Sequence, residues 1–418
     1  RSTLFPYTTL FRSYCSEENR KMQLGWIDFS KEDRKKALDV INLLTESGAV
    51  DELGIGIVRD AFSNYFFPGT STVQTRAKYF LIVPYAIKDV LLNPKIKSTR
   101  EAVNTLDFLE KNSAIIMYRK GERNGLIGVN NMPFGWVQRA PSVIYWSGIK
   151  KFEIVKNTDL NIGDLFRYYI SIYKEKKDNT KLLNRLDDPS DDQDDIDAGD
   201  ISLLQYLNIP TYNKSWKNNL KLDLTKDEAH FLKSQIIKAV PDSLLAFILK
   251  NNIDVSQYNT FLECSEDVFE SLSNDNKEAI LLANRFNELV YLIRVRYNYL
   301  LSDGKNADAV KRWDEIENSS FIDSLQVDIK KIFYFFRLSN PPTRHFLEKA
   351  LEYSLNRDYK SLDELLKARE IKLKGPARAK LNHIGETDTE KWVGGYYLDY
   401  RFSRAKAIIE DIYKGETE

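Results

Sequence analysis

At 418 residues, with 43% apolar and 29% charged side chains, the chain has the composition of a globular protein and the length for two or three domains. Its 61 basic and 61 acidic residues cancel, so no global field draws it to nucleic acid or anionic lipid, and its longest apolar run, Tyr79 to Ile87, falls far short of the ~20 residues of a membrane span. Two cysteines, Cys15 and Cys264, are too few and too far apart for a disulfide framework, which points to a reducing, cytoplasmic setting and away from the membrane.

Arg1 to Ser13 reads like a translated sequencing adapter, and Met22 looks like a natural start, so residues 1–21 are set aside as a non-native or disordered leader. A signal peptide fits poorly, because Leu4 to Leu10 is short and broken by Pro6, Thr8 and Thr9. From residue 22, Ser30 and Asp33 cap a helix with Ala37, Val40, Ile41 and Leu44 on one face, and Gly48 ends it. Residues 51–66 continue as a second helix, with Ile57, Val58, Phe62 and Phe66 as its core face.

The stretch from Phe67 to Tyr85 is the most distinctive in the chain. Pro68 and Gly69 mark a turn, and Ser71 with Gln74 has the spacing of a capping box, so a helix is expected from Thr72. Val73, Ala77, Phe80, Leu81, Pro84, Ile87 and Leu91 would form its apolar stripe, opposite Gln74, Lys78, Tyr85 and Lys88, with a kink at Pro84. A further helix over 100–120 leads to the glycine-bearing loop 121–128. Pro141 opens a short element, and Phe152 to Val155 alternates like a strand. Residues 22–185 thus read as a helical domain of winged-helix type with a minor β component.

Eight aspartates crowd residues 187–200, where little apolar surface offsets the entropy of ordering them, so 186–216 is expected to be an acidic linker or loop. A calcium loop would need a glycine and a terminal glutamate that this run does not place. Beyond it, 217–418 reads as a second helical domain: mainly α, with a capping box at Thr225 and Glu228, a short helix after Pro241, a long central helix over 274–301, and helices over 321–338, 342–355 and 362–371.

Catalytic patterns are sparse. Gly121, Gly125 and Gly128 lack the lysine and hydroxyl of a phosphate-binding loop, and Gly54 with Gly56 lacks the third glycine of a dinucleotide site. The three histidines, His230, His345 and His383, stand in unrelated contexts; His345 with Glu348 is better read as a surface hydrogen bond than a metal pair. Cys264 has no adjacent base and reads as a buried thiol, and Glu175 to Lys177 as a solvated helix end. No cofactor, metal or catalytic residue is assigned. Binding features are stronger. Thr70, Ser71, Thr72, Gln74, Thr75, Arg76 and Lys78 sit at the expected helix start, where free amides and the dipole suit an anion, although the hydroxyls are also ordinary caps. Arg139, Tyr145, Trp146, Lys150 and Lys151 mix rings with cations, as a base-stacking surface or as core aromatics. Lys367 to Lys380, including Arg378, is locally basic, diluted by Glu364 and Glu370.

Asp51 to Gly56, Arg59-Asp60, Phe67 to Pro84, Gly125 to Gly128, Pro141-Ser142 with Ile144-Tyr145-Trp146 and Gly148, Pro241 to Ala246 and Leu398 to Phe402, the last bringing Arg401, together resemble a bacterial family known as a domain of unknown function, DUF6361. The resemblance implies an occurrence in anti-phage defence gene clusters and carries over no catalytic residue. The expectation is a non-catalytic component that binds another protein of its gene cluster, or DNA or RNA. Its rivals are a metal-dependent nuclease whose carboxylates meet only in the fold, and a structural scaffold.

Overall fold

The computed structural model describes residues 52–156, 160–183, 207–210, 215–384 and 396–417. The expected helix over 30–48 and the acidic run 187–200 lie outside them, as do the side chains of Glu175 to Lys177. The architecture is mainly α. Fourteen α-helices are described, and where a strand was expected after Phe152 the described residues hold one isolated antiparallel bridge, Val155 to Leu207.

Local chemistry sets most boundaries. Up to residue 183, α1 (Gly56–Phe66), α2 (Tyr79–Leu91), α3 (Thr99–Arg119), α4 (Pro141–Lys151) and α5 (Ile162–Leu183) follow one another; Ser98 accepts from the Glu101 amide to start α3, and Pro141 occupies the first turn of α4. Then come α6 (Lys226–Ala239), α7 (Leu244–Lys250), α8 (Phe261–Val268) and α9 (Asn274–Leu301). Thr225 and Glu228 complete the expected capping box of α6, and Ser243 and Ser273 cap α7 and α9. The chain ends in α10 (Ala307–Asn318), α11 (Ile329–Phe335), α12 (Pro341–Leu355), α13 (Tyr359–Lys374) and α14 (Phe402–Thr417).

Two helices are encased. All of α2 except Lys88 and Asp89 is buried, and α9 buries most of its circumference, although Leu281 stays exposed. One apolar core runs through helices from both sides of the acidic run, and the described residues from 52 onward belong to one compact unit. Aromatic rings make the join: Phe62 meets Phe286, Phe66 meets Phe261, and Tyr400 touches Phe62, Phe66 and Phe261.

Four expectations are corrected. Ile57 is exposed, because the buried stripe of α1 is Val58, Phe62 and Phe66 at four-residue steps. Tyr85 and Lys78, expected on a polar face, are buried. Only 329–335 of the expected helix 321–338 is helical. The helix expected from Thr72 begins at Tyr79, and Pro84 sits inside it without ending it.

Candidate functional site

The turn chemistry of 67–78 explains the late start of α2. Thr70 Oγ1 donates to the Phe67 carbonyl at 2.6 Å, the Ser71 amide donates to Gln74 Oε1 at 3.1 Å, and Gln74 Nε2 donates to the Gly69 carbonyl at 3.1 Å. These side chains close their own turn. The Tyr145 hydroxyl then takes the Thr75 and Arg76 amides at 2.7 and 3.0 Å, and Thr75 Oγ1 donates to the Gly125 carbonyl at 2.7 Å. Gly125 has a positive φ and lies so close that a Cβ there would fall 2.5 Å from the Arg76 side chain.

Carboxylates of the chain's own meet Arg76 at this loop. Both carboxylate oxygens of Asp411 in α14 accept from Arg76 Nε at 2.9 Å and Oδ2 also accepts from the Ala77 amide at 2.8 Å, while Arg76 Nη2 reaches Asp223 at 2.8 Å. Burial pushes the Asp411 carboxyl up against the pull of Arg76, whereas Asp223 is held low by Lys414 and Arg76. Lys78 pairs at 2.5 Å with Glu228, the same carboxylate that caps α6. Arg401 donates to Asn64 Oδ1, the Thr70 carbonyl and Asp60 at 2.7, 3.0 and 3.2 Å, and Phe402 packs on Phe67. The segments around Phe67 and Arg401 therefore meet in space. Residues 21–197 match the model of a family of unknown function, DUF6361.

No curated protein and no solved structure matches the chain. The DUF6361 match holds Arg76, Lys78 and Tyr145, whereas their acidic partners Asp223, Glu228 and Asp411 lie beyond residue 197, as do Pro241 to Ala246 and Leu398 to Phe402.

The remaining expected site residues fall into two groups. Tyr145 and Trp146 are core residues: burial pushes the Tyr145 hydroxyl up to about 12, and the Trp146 indole donates to the Leu160 carbonyl. Their rings offer no face to a base, which corrects the stacking reading, while Arg139 and Lys150 on the same stretch are half-buried. Thr72 is exposed. The basic run near Arg378 does not form one cationic face, because Arg369 is buried on the Leu53 carbonyl and Thr343, and Lys374 and Lys380 pair with Glu52. Arg378 itself is exposed, with its Nε on the Lys374 carbonyl.

Among the described residues no cluster of three His, Cys, Asp or Glu side chains has metal-binding geometry. His345 is exposed and Glu348 pairs loosely with Arg344 at 3.6 Å. Cys264 is buried, its thiol pushed up to about 12 by burial and Asp267. Sequence reasoning missed two buried acids. Glu370 accepts from Tyr297, Lys374 and the amides of 380 and 381, and Glu110 accepts from the Ser142 amide and hydroxyl at the start of α4. The faint signal for Glu110 was its place on the stripe of Ala102, Leu106 and Ser113.

Trp136 Nε1 donates to Asp107 at 3.0 Å, and Phe108, Phe134 and Val143, one or two positions along the chain from these contacts, are 63%, 95% and 64% exposed.

Proposed function

We propose that the chain is a non-catalytic component of a cytoplasmic bacterial assembly, in anti-phage defence, that docks a partner protein on the surface around Phe108, Phe134 and Val143. The carrying observation is the exposure of these three large apolar side chains on segments that the Asp107–Trp136 and Glu110–Ser142 contacts link. Exposed apolar groups brought near one another in this way mark interaction surfaces. The loop cations weigh the same way: Arg76, Lys78 and Arg401 hold carboxylates and carbonyls of their own chain, so a nucleic-acid backbone gains less there. The defence setting is supported by the family resemblance alone.

The test is co-purification of the chain with the products of its neighbouring genes, using wild type and the variant Phe108→Ser, Phe134→Ser, Val143→Ser. A neighbour retained by wild type and lost by the variant, at unchanged melting temperature, supports the reading. Equal retention by both, or no retained neighbour, ends it.

A further inference from the structure

We infer that Tyr396 and Tyr397, which pack on α9 and α10 residues, form a stacking platform for single-stranded nucleic acid that uses none of Phe108, Phe134 and Val143. The two tyrosines are 59% and 48% exposed. Their backbone is held firmly. Asn287 of α9 accepts from the Leu398 amide and donates to the Leu398 carbonyl, Arg294 Nη1 donates to the Tyr396 carbonyl at 3.3 Å, and the Tyr400 hydroxyl donates to the Ala283 carbonyl at 2.7 Å. Tyr397 lies on Tyr291 with centroids 4.6 Å apart and planes 17° apart, which supports one face of a ring that is half exposed.

Cations stand beside the rings. The Arg312 guanidinium lies 5.3 Å from the Tyr396 centroid and donates to the Tyr291 hydroxyl, and Arg294 is one turn along α9 from Tyr291. A supported aromatic pair flanked by arginines suits an unpaired base over a phosphate backbone, since every base has a π face and duplex bases are already stacked. Glu288 acts on Tyr397 and Glu315 on Arg312, so attraction to phosphate is moderate and stacking carries more of the affinity.

The experiment is fluorescence anisotropy of the full chain with short labelled oligo(U) and oligo(dT), against a duplex of mixed sequence, at two salt concentrations. Wild type is expected to bind the single strands in preference to the duplex. Tyr397→Ala should weaken binding about tenfold, Tyr397→Phe should retain it, and Arg312→Ala should flatten its salt dependence. The variant triple at Phe108, Phe134 and Val143 should bind as wild type, which separates this inference from the protein-docking one. No binding to either single strand, equal binding to duplex, or a folded Tyr397→Ala or Tyr396→Ala pair that both bind as wild type would overturn it.

Discussion

Arg76 and Asp411, separated by 335 positions in the chain, meet through two hydrogen bonds of 2.9 Å, with the Ala77 amide adding a third to the same carboxylate. Their side chains are 16% and 10% exposed, so the pair is largely out of water. Removing one partner strands the other's charge, and that cost outweighs what the pair contributes over an apolar replacement.

Arg76→Ala is therefore expected to destabilise the chain by about 3 kcal/mol, the low end for a buried pair because both groups keep some solvent contact. Asp411→Asn should cost less, since an amide oxygen can still accept from the Ala77 amide. Urea unfolding of both variants measures this. A loss for Arg76→Ala no larger than that of an exposed pair, about 0.5 kcal/mol, would mean that the arginine is held for a ligand instead of for the fold.

Glu110 gives the fold a pH dependence. Burial pushes its carboxyl up to about 8, against the opposing pull of the Ser142 hydroxyl and amide. The folded chain thus keeps this proton while the unfolded chain releases it near 4.5. The contribution of this group to stability is flat below about 4.5, declines as pH rises to about 8, and is flat again above, with a total change of up to about 5 kcal/mol. Glu110→Gln keeps an acceptor for the Ser142 amide and has no proton to titrate, so unfolding free energies from pH 5 to pH 8 should slope less in the variant. Parallel slopes would show that Glu110 ionises normally.

Gly148 should not tolerate a methyl group. Inside α4 alanine would ordinarily stabilise by up to about 1 kcal/mol, yet a Cβ here would fall 2.2 Å from the Gly69 carbonyl oxygen and 2.7 Å from the Phe80 ring. Gly148→Ala is expected to lower stability by about 2 kcal/mol through displacement of the 67–78 loop. A melting temperature at or above wild type would contradict the close packing of α4 on that loop.

What could be read from the sequence was whatever residues decide among near neighbours. The bounds of α9 follow from the apolar period of residues 274–301, the capping box at Thr225 and Glu228 from a three-residue spacing, and the start of α4 from Pro141. The same logic failed at Ser71 and Gln74, where the spacing of a helix cap closes a turn instead: the next amides are taken by Tyr145, 70 positions away, and by Asp411. For the 67–78 loop the sequence left two readings open, hydroxyls that only cap a helix and a place for an anion. Only the tertiary structure decided that the anion is a carboxylate of α14, that Tyr145 is its buried brace, and that Tyr396 and Tyr397 reach the surface, since a long-range pairing is set by which faces the core brings together and leaves no local period to read.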